Sequence, residues 1–198
     1  MTIAGIIAAL AAAYLIGSVS GARVLAGAFA APDIRGLGSG NAGTSNAWRI
    51  SGRGYGLAVL AFDLLKGAVA TGLAAALAPI MPWPAVAGFL AVIGHVWPVF
   101  HGFRGGKGLA AAAGVLVFLA PVVLLAALAV FGATLWARRI VSLASLTALA
   151  VAGLCALFVP FMDGPVRVLI GSLCVLLVVT HRENIVRLRL GQEPRIHR

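Results

Sequence analysis

Residues 109–137 read LAAAAGVLVFLAPVVLLAALAVFGATLWA, an apolar run with Pro121 near its middle. The run is long enough to cross a bilayer once as a helix, since about 20 apolar residues span the hydrocarbon core. Basic residues flank it on both sides, Arg104 and Lys107 before it and Arg138 and Arg139 after it. Cytoplasmic loops collect Lys and Arg, so a single crossing would leave one of these pairs on the outer face. Proline lacks a backbone donor and its ring clashes with the preceding turn, which favours a break at Pro121. Two short helices joined there return both pairs to one side, and this reading fixes the parity of the whole chain.

The rest of the sequence has the same character. Of 198 residues, 62% are hydrophobic and 10% charged, with a mean hydropathy of +1.07. That composition describes an all-α integral membrane protein, read as a single membrane domain over residues 1–198. The formal net charge is +10. Its basic residues sit beside apolar spans rather than on a soluble face, which points to membrane orientation and anionic headgroups or substrates and argues against nucleic acid. Cys155 and Cys174 fall within apolar runs, where a thiol acts as a small hydrophobe and implies neither disulfide nor metal. Met1 to Ala22 carries no charge and so lacks the basic start of a secretory signal; it reads as an uncleaved first helix.

Apolar runs cover roughly 3–22, 54–81, 85–100, 109–137, 140–162 and 166–180. With the break at Pro121 they make seven transmembrane helices. The uncharged beginning, followed by Arg23, Arg35, Arg49 and Arg53, puts the amino end outside and the first loop inside. The turns Ala78 to Pro84 (APIMPWP) and Pro160 to Pro165 (PFMDGP) then fall outside. Inside lie the loops bearing Arg104 and Lys107, and Arg138 and Arg139, together with a cytoplasmic carboxyl end carrying Arg182, Arg187, Arg189, Arg195 and Arg198. Thirteen of the 15 basic residues are cytoplasmic on this topology.

Three polar, glycine-marked segments interrupt the apolar sequence: GLGSGNAGTSNAWR (36–49), HGFRGGKG (101–108) and HRENIVRLRLGQE (181–193). Irregular backbone cannot face lipid, so such segments lie at the membrane surface or line a cavity, and the topology brings all three to one face. Gly38, Gly40 and Gly43 formally satisfy GxGxxG, but a dinucleotide fingerprint requires a βαβ unit and the flanks here are membrane helices. A nest fits better: glycines permit positive φ, so successive backbone amides point at one anion, with Ser39, Asn41, Thr44 and Ser45 adding donors and Arg35, Asn46 and Arg49 alongside. The second segment departs from a Walker A loop at His101 and Gly108. Gly105, Gly106, Lys107 and Gly108 nevertheless combine amides, a positive helix end and an ammonium, a set suited to phosphate.

In the third segment His181 and Asn184 stand one helical turn apart and can face one cavity while Arg182 points elsewhere. Arg187 and Arg189 read as snorkelling to headgroups. Ser142 and Ser145 in IVSLAS read as helix caps. Asp63 and Lys66 lie within the second span at i, i+3, where intramembrane charge demands pairing, and read first as a structural ion pair. No Cys or His cluster, His95 included, has metal-ligand spacing. Two classes of function fit this cationic face. One is an enzyme acting on phosphate compounds; the other is a small transporter or flippase for an anionic lipid, with Asp63 and Lys66 as its switch. A transporter site belongs near the midplane between repeats, whereas these motifs cluster at one side and no internal repeat is present.

Taken in order, the three segments and IVSLAS closely resemble the bacterial membrane acyl-phosphate:glycerol-3-phosphate acyltransferase family, whose motifs run GSGNxGATNxxR, GFKGGKG and HxxNIxRLxxGxE. The resemblance extends from GSVSG at Gly17 through GHVWPVF at Gly94 to Glu193. It implies seven helices with the amino end outside, in the bacterial inner membrane with the active site facing the cytoplasm. It also implies acyl transfer from acyl phosphate to the sn-1 hydroxyl of glycerol 3-phosphate, giving lysophosphatidic acid and phosphate without metal or other cofactor. Residue by residue, it implies that Ser39, Gly40 and Asn41 cradle a phosphate, and that Arg49, Lys107, Ser145, His181 and Asn184 bind and orient the reacting groups. The base is His181 or a phosphate oxygen of the substrate, and the family is thought to use the substrate. The soluble-type HxxxxD motif is absent from the sequence. Three departures from the family pattern stand out, GTSN for GATN, Ser20 for proline and Ala111 for threonine, and none removes an assigned charge.

Overall fold

The computed structural model describes residues 2–160 and 162–196; Phe161 of the expected outer turn and His197 and Arg198 of the expected cytoplasmic tail lie outside the described residues. All regular structure among the described residues is helical. The chain divides into two compact units, Met1–Phe118 and Leu119–Arg198.

The first unit holds α1 (Ile3–Ser18), α2 (Gly21–Ala26), α3 (Thr44–Leu77), α4 (Trp83–Val96) and α5 (Leu109–Leu119). Helix α1 starts where the Thr2 hydroxyl accepts from the Gly5 amide, satisfying one of the donors a helix start leaves bare. It packs on α4 through glycine on both sides. A Cβ on Gly17 would stand 2.1 Å from the Ala91 carbonyl oxygen, and one on Gly94 would stand 2.3 Å from that of Tyr14. In lipid there is little hydrophobic gain from bringing helices together, so close backbone packing of this kind does the work. Helix α3 rests on α5 in the same way, Gly67 against Ala111 and Gly114 against Leu64.

Helix α3 is 34 residues long and is interrupted by non-helical backbone at Ser51 and Gly52, the latter at φ 86°. At 1.5 Å per residue its length is about 51 Å, well beyond the hydrocarbon core. The turns before the kink, with Arg49, therefore stand off the apolar part. Below the kink the Tyr55 hydroxyl donates to the Ala22 carbonyl and joins α3 to α2.

The second unit holds α6 (Pro121–Arg138), α7 (Val141–Phe158), α8 (Gly164–Thr180) and α9 (Arg182–Arg189). As the proline argument requires, α5 ends before Pro121 and a new helix begins there. Arg167, in the first turn of α8, donates from Nη2 to the Val159 carbonyl at 2.8 Å and from Nη1 to that of Ala156. It thereby caps carbonyls that the end of α7 leaves without partners. At the opposite end of this unit the Ile196 amide donates to the Arg139 carbonyl at 2.8 Å, so the tail and the α6–α7 turn share one end.

Among the described residues, four helical segments are long and apolar enough to cross a membrane: Thr44–Leu77, Trp83–His101, Pro121–Arg138 and Val141–Phe158. The number becomes six when each bent pair is one span, Ile3–Ser18 with Gly21–Phe29 (45°) and Gly164–Thr180 with Arg182–Arg189 (60°). Large apolar side chains such as Val122, Leu125, Leu157 and Val168 are exposed on these helices, as a lipid-facing surface requires. Helix α5, with 11 residues, is about 17 Å long and by itself falls short of the hydrocarbon thickness.

Candidate active site

In the first unit the loop between α2 and α3 is organised by Asn46. This side chain is 1% exposed, and its Nδ2 donates to the carbonyls of Ile34, Leu37 and Asn41 at 2.9–3.0 Å while its Oδ1 accepts from the Ser39 amide at 3.1 Å. The Gly40 amide donates to the Leu37 carbonyl, and the Gly43 amide to Asn41 Oδ1. The nest reading is corrected to that extent. The amides of Ser39 and Gly40 are spent inside the loop, Asn46 is its clasp, and what the loop presents to solvent is the exposed Ser39 with Gly38 and Gly40 at φ 59° and 69°. Asn41 and Thr44 are half-buried beside it, and Arg49 and Ser45 are exposed on the first turns of α3.

Arg35, set beside this loop, is held by Asp33 through Nε at 2.9 Å and reaches the His101 carbonyl from Nη1 at 3.4 Å. The Arg35 guanidinium keeps the Asp33 carboxyl well below the usual carboxylate range. Through the Arg35–His101 contact, the residue just before the first polar segment meets the start of the second.

The second segment folds back onto α4. The Gly105 amide donates to the Val96 carbonyl and the Gly106 amide to that of His95. A Cβ on Gly105 would fall 1.9 Å from the His95 carbonyl oxygen, and one on Gly106 would fall 2.0 Å from His95 Nε2. These two glycines are thus required by close packing, and their amides are engaged internally rather than offered to a phosphate. Lys107 is half-buried, directly after them; Gly108, buried and at φ 93°, turns the chain into α5. The positive charge of Lys107 and the start of α5 are the features of this segment suited in kind to an anion.

Asp63 and Lys66 are paired as expected, Lys66 Nζ lying 3.0 Å from Asp63 Oδ1. Lys66 also donates to the Val19 carbonyl at 2.7 Å, and His95 Nδ1 faces the same Asp63 oxygen at 3.5 Å. Sequence spacing offered no sign of His95 in this cluster, because α4 meets α3 only in the fold.

In the second unit, His181 sits at the 60° bend between α8 and α9. Its Nδ1 lies 2.7 Å from the Leu177 carbonyl, which can only accept. Nδ1 therefore carries the proton in the neutral ring, and Nε2 is the basic nitrogen. Asn184 is buried on the same side while Arg182 is exposed. Asn184 Nδ2 donates to Glu193 Oε1 at 2.5 Å, and Arg187 Nε to Glu193 Oε2 at 2.8 Å. Burial of Glu193 opposes its charge, but these hydrogen bonds outweigh that and hold the carboxyl below its ordinary range. Arg187 is thereby taken from the headgroup role expected for it, whereas Arg189 is exposed. Ser145 Oγ donates to the Val141 carbonyl one turn back, and α7 has no side-chain cap, so the capping role read for Ser142 and Ser145 is also corrected. Both serines are buried.

Comparison with known proteins gives this arrangement its context. The glycerol-3-phosphate acyltransferase family matches residues 7–191. Glycerol-3-phosphate acyltransferase 1 of Deinococcus radiodurans is 42% identical over 196 residues, covering 99% of this chain and 98% of that protein. The glycerol-3-phosphate acyltransferase of Geobacter sulfurreducens is 42% identical over 188 residues, covering 93% and 94%. Among solved structures, the glycerol 3-phosphate form of PlsY, an integral membrane glycerol 3-phosphate acyltransferase, superposes with a TM-score of 0.90 at 37% identity, covering 97% of this chain and 96% of that one. The lysophosphatidic acid form gives 0.87 at 38% identity. With its polar segments, its helices and nearly its whole length so matched, the chain belongs to the glycerol-3-phosphate acyltransferase family.

Proposed function

We propose that this protein transfers an acyl group from acyl phosphate to the sn-1 hydroxyl of glycerol 3-phosphate, releasing lysophosphatidic acid and inorganic phosphate. The observation that carries the reading is the chain-long likeness, at 37% identity, to a structure in its glycerol 3-phosphate form. The chemistry suits the residues. Acyl phosphate is an activated mixed anhydride, so the reaction needs orientation, relief of charge on the leaving phosphate and removal of one proton from the attacking hydroxyl. Lys107 and Arg49 supply the positive charge and donors for phosphate. Ser39, Gly40, Asn41 and Thr44 shape one wall of the phosphate site, and Gly105, Gly106 and Gly108 set the backbone that carries Lys107. Ser145 and Asn184 orient the reacting groups. The proton leaves through His181 Nε2 or a phosphate oxygen of the substrate.

The same proposal includes one membrane domain of seven spans in the bacterial inner membrane, with α5 as the fourth, the amino end outside and the site facing the cytoplasm. The Arg35–His101 and Ile196–Arg139 contacts support it, since each ties together two segments that this topology puts on one face. The test is purified protein with labelled glycerol 3-phosphate and either acyl phosphate or acyl-CoA. Lysophosphatidic acid should form with acyl phosphate and not with acyl-CoA; equal turnover with both donors, or none with acyl phosphate, would overturn the reading.

A further inference from the structure

The buried cluster of Asp63, Lys66 and His95 is not used by the chemistry above, yet it lies directly under the segment that carries Lys107. All three side chains are almost fully enclosed. Lys66 ties the cluster to the end of α1 through the Val19 carbonyl and to Asp63 within α3. Asp63 in turn faces Nδ1 of His95 on α4. The other edge of that imidazole meets the glycine loop. Its Nε2, Cε1 and Cδ2 are the three nearest atoms to a Cβ built on Gly106, at 2.0, 2.8 and 3.0 Å, and the His95 carbonyl accepts from the Gly106 amide at 3.1 Å. One ring is thus clamped between a charge pair that fixes its angle and the backbone immediately before Lys107. Ser18, Ser20, Gly105 and Gly106 line a small cavity with Lys66 and His95.

We propose that Asp63, Lys66 and His95 are positioning residues for the acyl transfer: the Asp63–Lys66 pair sets the His95 ring, and the ring sets the height of the Gly105–Gly106–Lys107 backbone and with it the Lys107 ammonium. The proposal rests on Lys107 acting at the phosphate. Misplacement of a binding group by about 1 Å can cost on the order of a hundredfold in rate, so even a modest shift of this platform is measurable.

Two cycles of variants test it, each read as kcat and KM per folded molecule. In the first, Gly106→Ala and His95→Ala should each lower kcat/KM, and the further loss caused by Gly106→Ala should be much smaller in the His95→Ala chain, where the ring atoms its Cβ meets are gone. A Gly106→Ala loss equally large with and without the ring, or a His95→Ala variant of native kcat/KM, would overturn the proposal. In the second, Asp63→Asn should lower kcat/KM on the order of tenfold in the otherwise native chain and less than about twofold in a Lys107→Ala chain, because a residue acting through Lys107 has nothing left to act on. Equal losses in both backgrounds would overturn it. If Lys107→Ala itself keeps near-native activity, the assignment of Lys107 fails instead. Should Asp63→Asn not fold, the first cycle stands alone, since it leaves the charge pair intact.

Discussion

Replacing Asn46 by Asp changes one NH2 to one oxygen and keeps the shape of the side chain, yet it should dismantle the loop that presents Ser39. The amide has two N–H bonds shared among three carbonyls, and its oxygen takes the Ser39 amide. A carboxylate retains only the last of these and aims negative charge at the carbonyls of Ile34, Leu37 and Asn41. Each buried hydrogen bond contributes about 1 kcal/mol net, and a stranded buried partner costs about 1–3 kcal/mol. Loss of the clasp should therefore cost about 3 kcal/mol for Asn46→Ala and more for Asn46→Asp. The penalty is spent locally where the loop can open, so the expected signature is a raised KM with a smaller loss of unfolding temperature. The assay is steady-state kinetics in both substrates on detergent-purified variants, with thermal unfolding in parallel. Native KM values for a folded Asn46→Asp protein would refute the view that this loop shapes the phosphate site.

Lys107→Ala should lower activity per folded molecule about a hundredfold, the equivalent of roughly 3 kcal/mol of charge-assisted contact to a phosphate, and Lys107→Arg should rescue it poorly because a planar guanidinium does not replace a compact ammonium; near-native activity of the alanine variant would remove Lys107 from the site. In a background with Cys155 and Cys174 replaced, a cysteine at Arg195 should react with a membrane-impermeant reagent only from the cytoplasmic side and one at Asp163 only from outside, and the reverse pattern would discard the seven-span topology. The Glu193 carboxyl is held below its ordinary value of 4.5, so it contributes stability that is present above that value and is lost as pH falls through the lower, folded value. Acidification below about 4.5 should thus lower the unfolding temperature of the native protein more steeply than that of Glu193→Gln; parallel curves would show that Asn184 and Arg187 gain nothing from its charge.

Much of this could be read from residue order alone. Hydropathy gave most of the helices, though α3 starts at Thr44, well before the apolar run that begins near residue 54, and Pro121 gave the break between α5 and α6, because a missing N–H is a local fact. The three polar segments were equally visible, since glycine and charge stand out against an apolar background. What could not be read were the roles fixed by backbone carbonyls. Asn46 could be placed only alongside the glycine loop, because nothing in sequence marks the carbonyls of Ile34, Leu37 and Asn41 as its partners. Gly105 and Gly106 looked like a phosphate cradle because the ring beneath them belongs to another helix. Ser145 looked like a cap, but inside a helix its hydroxyl finds the carbonyl one turn back. The role of Arg167 at the end of α7 had no signature either, for its acceptors are main-chain atoms of the preceding turn.

The pairing of Asp63 with Lys66 also bears on how the chain enters the membrane. A lone charge at the centre of an inserting helix costs roughly 3 kcal/mol on the translocon scale. Here both charges lie on one helix, a single turn apart, so each carries its counter-ion with it as α3 leaves the aqueous channel. Neutralisation does not wait for α4, which is synthesised later and brings His95. A variant that moved one partner to a neighbouring helix could end with the same finished contacts and still fail during biogenesis, because α3 would meet lipid with an uncompensated charge.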